Sequence, residues 1–221
     1  MNTLPKFKNS ELLKLAFIHR SFLNETKEKL ESNERLEFLG DSILSFIISE
    51  YLYNTYPDYD EGILTNLRSL VVNTKNLADV ARKLEFGNEL LLSRGEEESK
   101  GRQNESILAN CFEAFVGALF LDQGIVAARD FLIKVIVPQI ETFVKSKAFK
   151  DPKSMLQEFV QSKRGNSPVY KVLNEEGPPH ARTFTMGVYV HNELIAKGTG
   201  RSKQLAEEEA AKHALEKTAQ E

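Results

Sequence analysis

Between Asn33 and Ser42 the chain reads NERLEFLGDS, a stretch with three carboxylates, Glu34, Glu37 and Asp41, spaced three and four residues apart. At 3.6 residues per turn these spacings put all three side chains on one side of a helix. Like charges stacked in this way repel by about 0.2–0.5 kcal/mol per pair on an isolated helix. A hard divalent cation that prefers oxygen ligands would offset the repulsion. The plain alternative is a solvated acidic face. Leu36, Phe38, Leu39, Ile43, Leu44, Phe46, Ile47 and Ile48 argue against it, because they make the helix apolar over most of its circumference and so largely buried.

A second segment, SILANCFEAFVGALFLD, carries Asn110 and Glu113 three residues apart on one helix face. Leu108, Phe112, Phe115, Val116, Leu119 and Phe120 surround them, and an ionised glutamate among such neighbours needs a partner. One option is a salt bridge to Arg68 or a hydrogen bond to a neighbouring helix. The other is that Glu113 and Asn110 meet Glu37 and Asp41 across a helix pair and complete a Mg²⁺ site. Such a site hydrolyses phosphodiesters, since the ion can deliver a hydroxide and stabilise charge developing on phosphorus and the leaving oxygen.

NERLEFLGDS closely resembles the signature of the ribonuclease III family, endonucleases that cut double-stranded RNA with a divalent metal. The resemblance implies that Glu37, Asp41, Asn110 and Glu113 form the metal cluster, with Asp41 and Glu113 as the catalytic pair. The implied cofactor is Mg²⁺, with Mn²⁺ able to substitute, and no small-molecule cofactor is implied. Asn110 departs from the pattern, because the best-known members carry aspartate there. Its carbonyl can still ligate Mg²⁺, but one negative charge is lost. Glu61, in DEGILTNLRSLVVN, resembles a family glutamate near the catalytic valley that often reaches toward the partner subunit. It can equally be an acid favoured by the helix dipole at the helix start. Glu34 is open in the same way, as a valley residue, a first-turn acid or an ion-pair partner. His19, in AFIHRSF, resembles a family position and is expected to be structural.

These residues need elements to position them. Up to about Lys150 apolar residues recur at spacings of three and four, which predicts helices over Glu11–Phe17, Arg35–Tyr53, Gly62–Val72, Thr74–Leu84, Asn104–Leu121 and Val126–Val144. Pro138 is expected to bend the last of these. Gly95 to Ser99, reading GEEES, is expected to be a solvated loop. The fold class is therefore an all-α N-terminal domain, residues 1–146, followed by a linker, 147–151, and a small α-β-β-β-α module, 152–221. In that module a helix over Ser154–Gln161 precedes strands at Val169–Asn174, Arg182–Val190 and Glu193–Thr199, and a final helix begins near Ser202.

The second module resembles a double-stranded RNA-binding domain over nearly its whole length. Three surfaces carry the likeness: Ser154, Gln157, Glu158 and Gln161 along one helical stripe, His180 in the GPPHA loop, and Arg201, Ser202, Lys203 and Gln204 at the start of the last helix. They suit two minor grooves and the phosphates between them, a geometry that selects A-form duplexes by shape. From Asp151 onward, however, 10 Lys and Arg face 10 Asp and Glu, which implies modest affinity per module.

The whole chain has a net charge of −3 over 221 residues, so any RNA contact must be local. Its single cysteine, Cys111, rules out an intramolecular disulfide framework, and the polar N-terminus and short apolar runs predict a cytoplasmic protein with no membrane segment. The resemblance implies a homodimer with two sites along one valley. It would cut both strands to leave 3′ overhangs with 5′-phosphate and 3′-hydroxyl ends, and would process ribosomal, messenger and transfer RNA precursors. The rival reading is a non-catalytic double-stranded RNA-binding dimer whose cleavage is lost through Asn110.

Overall fold

The computed structural model describes residues 4–146, 152–163, 166–178 and 181–218, and the chain divides into two compact units, Met1–Phe149 and Lys150–Glu221. The first unit is helical: α1 (Ser10–Ala16), α2 (Glu34–Thr55), α3 (Glu61–Val72), α4 (Thr74–Lys83), α5 (Phe86–Glu89), α6 (Arg94–Glu98) and α7 (Glu105–Ser146), with a 3₁₀ turn at Arg20–Asn24. Side-chain caps start several of them. Asn9, Asp60 and Asn73 each accept a backbone N–H of the turn they precede, which satisfies a donor that the helix cannot.

α7 is the centre of this unit, and α1, α2, α3, α4 and α5 all pack on it. Phe112 and Phe115 of α7 meet Phe17 or Phe86, and Phe131 meets Phe112 and Phe115, in tilted and edge-on ring contacts, so aromatic packing fixes their mutual angles. The two helices expected over this region form one run interrupted at Gly124, whose backbone (φ 82°, ψ −177°) is accessible only to glycine. Pro138, expected to bend the second half, sits inside the run, and Gly124 is its only non-helical residue. By length and apolar content alone α7 could cross a bilayer, yet half of its most apolar window is buried inside this unit.

α2 buries Leu36, Gly40, Leu44, Ile47, Ile48 and Leu52, a stripe at spacings of three and four that faces α7. The crossing is backbone on backbone. A Cβ on Gly40 would stand 1.8 Å from the Glu113 carbonyl oxygen, and one on Gly117 would stand 2.3 Å from the Leu36 carbonyl oxygen. The start of α2 is fixed by Asn33, which is buried. Its amide donates to Ala16 O at 3.0 Å and its backbone N–H to Ile18 O at 2.9 Å.

Gly95 to Ser99 is not a loop. Residues Arg94–Glu98 form α6, because Ser93 caps the Glu96 N–H at 3.3 Å and two acids in the first turn suit the dipole. The Glu97 carboxylate also pairs with Arg102.

The second unit contains α8 (Pro152–Ser162), an antiparallel meander β1 (Val169–Glu176), β2 (Thr183–Val190) and β3 (Glu193–Gly200), and α9 (Lys203–Thr218). Strand pairs such as Val172↔Met186 and Val188↔Ala196 set the register. His191 and Asn192, both at positive φ, make the two-residue β2–β3 turn, whose backbone twist matches the strands. Leu156, Val160, Val188, Ala196, Ala210, Ala211 and Ala214 form the core between sheet and helices. Alanines on α9 let the sheet lie close.

Gly40→Ala and Gly117→Ala each gain roughly 1 kcal/mol of helix propensity, but forcing α2 from α7 is expected to outweigh it by about 1–3 kcal/mol. Urea midpoints should fall for both, while Gly95→Ala, where an added Cβ inside α6 meets nothing within 4 Å, keeps its propensity gain and should hold or raise the midpoint. Equal midpoints for all three would show that the helices can part without cost.

Candidate metal centre and duplex-binding surface

The close crossing of α2 and α7 decides which polar side chains meet. Gly40 lies between Glu37 and Asp41, and its backbone abuts that of Glu113, so the acids of the first motif face those of the second. The Asn110 amide donates a hydrogen bond to the Glu37 carboxylate. Burial raises the Glu37 pKa above the ordinary carboxylate range; Glu34 and Asp41 raise it further, while the Asn110 bond pulls it back. Glu113 moves furthest. Desolvation, then the charges of Asp41 and Glu37, push it to about 7, so near neutrality it holds a proton half the time.

Glu37 and Asn110 also line an open cleft of about 780 Å³ shared with His19, Arg20, Glu34 and Glu96. Asp41 is exposed and lies outside the lining of that cleft, as does Glu113. Among the described residues no group of three His, Cys, Asp or Glu side chains is placed, as the side chains stand, to hold a metal ion. The donor chemistry nevertheless fits Mg²⁺: three carboxylates and an amide carbonyl near one another, all oxygen, two of the acids with pKa values raised first by burial and then by neighbouring carboxylates. An ion that keeps several of its own waters needs only a few such ligands on an open wall.

The remaining expected residues divide clearly. Glu34 joins the cleft, paired with Arg20 at 3.6 Å and accepting from Ser32 Oγ at 2.8 Å, whereas Arg35 pairs with Glu31. Glu61 does not join it. It opens α3, accepts from Thr65 Oγ1 at 3.3 Å and lines a separate cavity with Phe46, Tyr53 and Arg68. Arg68 is not the partner of Glu113, since its guanidinium donates to Ser49 Oγ at 2.9 Å. His19 caps the 3₁₀ turn, its Nδ1 accepting the Ser21 N–H at 3.3 Å, and burial lowers its pKa. Cys111 is buried, with its thiol pKa pushed up by that burial. The positioning residues Asn33, Gly40 and Gly117 were not picked out beforehand. Gly40, three residues after Glu37, and Gly117, four after Glu113, were the available signal.

On the second unit Ser154, Gln157, Glu158 and Gln161 are all exposed along α8. His180 lies outside the described residues. At the start of α9, Arg201 is exposed and Ser202 caps the helix, with its Oγ accepting the Leu205 N–H at 3.2 Å and its carbonyl the Ala206 N–H at 3.1 Å. Those two donors are therefore taken, which narrows the N–H groups left for phosphate. Lys203 pairs with Glu175 at 3.2 Å, and Gln204 donates to Glu208 at 3.0 Å.

An oxygen-rich carboxylate cluster held between two core helices, joined to an α-β-β-β-α module with an exposed polar helix stripe, defines a nuclease-type domain linked to a duplex-RNA-binding one. Residues 9–140 match the ribonuclease-III-like family and residues 152–218 the double-stranded RNA binding motif. The chain is 47% identical over 212 residues to ribonuclease 3 of Streptococcus gordonii, covering 96% of this chain and 91% of that protein. It is 45% identical over 209 residues to ribonuclease 3 of Borreliella afzelii, covering 95% and 85%. Among solved structures it resembles the nuclease domain of ribonuclease III from Campylobacter jejuni (TM-score 0.56, 38% identity, 60% of this chain and 90% of that one). It also resembles Dicer from Pichia stipitis (TM-score 0.51, 27% identity, 96% of each). The chain belongs to the ribonuclease III family, and it is a double-stranded-RNA endoribonuclease.

The raised Glu113 pKa has a definite sign in stability. The metal-free folded state holds this proton up to about pH 7, while the unfolded chain releases it near its ordinary value of 4.5. Stability therefore falls as pH rises between those values, by ~1–2 kcal/mol after allowing for partial solvation, and the loss is complete above them. In EDTA, Glu113→Gln is expected to have the higher melting temperature at pH 8 and little advantage at pH 4.5. A wild-type advantage at pH 8 would contradict the assigned environment.

Proposed function

We propose that the chain cuts both strands of duplex RNA by Mg²⁺-assisted hydrolysis, with Glu37, Asp41, Asn110 and Glu113 holding the ion and Asp41 and Glu113 closest to the chemistry. The observation that carries this reading is the meeting of the two motifs across Gly40 and Gly117, which brings carboxylates from two helices together where they strain one another's ionisation. When bound, Mg²⁺ would supply an activated water and neutralise charge developing on the phosphate. Mn²⁺ can take the same oxygen ligands. The chain's own residues do the rest. In the metal-free protein burial and the charges of Asp41 and Glu37 raise the Glu113 pKa to about 7, so on binding a cation the carboxylate would give up its proton and stay ionised. Asn110 orients Glu37 through its hydrogen bond. Arg20 and His19 line the wall of the cleft beside Glu37, where a phosphate backbone would be steered.

The working unit in this proposal is a homodimer. α2 leaves Phe38, Phe46 and Tyr53 exposed, at 79%, 56% and 72%, on one side of a helix that is otherwise core. Apolar surface of this kind on a soluble domain marks a contact site. The Campylobacter jejuni nuclease domain is described as having a region involved in dimer formation. In a dimer Glu61, apart from the cluster in its own subunit, could serve the partner's valley. Two sites facing opposite strands would leave 3′ overhangs with 5′-phosphate and 3′-hydroxyl ends. Structured RNA precursors, ribosomal first and then messenger and transfer, fit a shape-reading module, and a cytoplasmic location fits those substrates.

Incubation of the native chain with a long RNA duplex and Mg²⁺ is expected to give short fragments, and Glu113→Ala to give at least a 10²-fold slower rate. Asn110→Asp should lower the Mg²⁺ concentration needed for half-maximal rate and, with its added like charge beside Glu37, lower the melting temperature in EDTA. A native chain that binds duplex without cutting it, with cutting restored by Asn110→Asp, would establish the non-catalytic reading instead.

A further inference from the structure

From Asp151 onward the chain carries as many acids as bases although this unit binds a polyanion, and the structure shows how several of those charges pair. At the end of β1, Glu175 pairs through Oε1 with Lys203 at 3.2 Å and through Oε2 with Arg182 at 3.6 Å. Lys203 is the first residue of α9 and also lies 5.6 Å from the Phe184 ring centroid. Arg182 sits just before β2. Between the two helices Glu207 of α9 pairs with Lys153 of α8 at 2.6 Å, immediately before the exposed stripe that begins at Ser154, and Lys153 lies 5.0 Å over the Tyr170 ring. Three of the cations nearest the duplex-facing elements are therefore already held by carboxylates of the same unit, while Arg201 remains exposed.

We propose that Glu175 and Glu207 are built-in counterions of the duplex-binding surface, which lower its affinity for RNA and flatten its salt dependence by neutralising Lys203, Arg182 and Lys153 in the free module. The inference rests on the reading of this unit as a binder of duplex RNA. Affinity for nucleic acid comes largely from release of mobile ions condensed on the phosphates as protein cations replace them. A lysine that arrives with its own carboxylate brings little net positive charge, so it displaces few ions and also carries a negative neighbour toward the phosphate. These pairs are partly exposed and individually weak, so the lysines can be shared with a phosphate without unfolding anything. Binding is left to depend on shape and hydrogen bonds at the minor grooves, which discriminate duplex form, more than on bulk charge, which does not.

The test uses the full chain in EDTA, so that cleavage is silent, and a blunt RNA duplex of about 30 base pairs titrated from about 50 to 250 mM KCl. Glu175→Gln and Glu207→Gln are each expected to bind roughly three- to tenfold tighter near 100 mM salt. The plot of log affinity against log salt should steepen by about 0.7–0.9 for each cation released. In a Lys203→Gln, Arg182→Gln background, Glu175→Gln should gain less than about twofold, because it acts through those cations. Thermal melts identify folded variants, and the two acids lie on different elements, so either can carry the test if the other variant does not fold. Weaker or unchanged binding by the folded variants would overturn the inference, since the acids would then be holding the cations in a productive pose. An undiminished gain in the cation-free background would overturn it too. Failure of the native chain to bind duplex at all would remove the functional reading together with the inference.

Discussion

The contact on which the first unit depends is the backbone crossing of α2 and α7 at Gly40 and Gly117. Helix axes usually stand 8–10 Å apart because side chains keep them there. Where both residues at the crossing lack a Cβ, the carbonyl of Glu113 can approach Gly40 and that of Leu36 can approach Gly117. This closeness does two things at once. It lets the Leu36–Leu52 stripe bury against the aromatic heart of α7, and it brings Glu37 and Asp41 to the side of α7 that presents Asn110 and Glu113. Fold and site are therefore parts of one contact.

The electrostatic consequence is a cluster that the metal-free fold tolerates at a cost. Desolvation and mutual repulsion raise Glu37 and Glu113, and a single amide hydrogen bond from Asn110 is the local relief on Glu37. A carboxylate at that position would add charge and remove the donor. Asparagine therefore relieves the cluster in the metal-free protein. The second unit solves the opposite problem. It must meet phosphate, yet Lys203, Arg182 and Lys153 are paired with Glu175 and Glu207, so part of its positive charge is moderated.

Much of this was legible in residue spacing. The helices from Glu34 to Lys83 differ from expectation by one or two residues at their ends, because period and capping residues agree there. β1 to β3 and α9 follow for the same reason, the strands punctuated by His191-Asn192 and the helix capped by Ser202. Local signals misled where a short-range cue competed with the tertiary setting. GEEES reads as a solvated loop, but Ser93 and the position of Arg102 make it a helix. Arg68 looked free to neutralise Glu113, but it lies with Ser49 on another face. Glu61 shares an acidic character with the cluster but not its location.

The sequence by itself determined the class of protein, the two motifs, and the oxygen-donor chemistry of Glu37, Asp41, Asn110 and Glu113. These follow from residue type and helical period, which are local properties. Only the tertiary structure decided that the two motifs meet, that Glu113 is the acid whose ionisation is most disturbed, and that Glu175 pairs with Lys203. Each of these depends on how closely two distant backbones approach and how much water they exclude. No spacing along one chain encodes those quantities until the glycines at the crossing are seen touching across it.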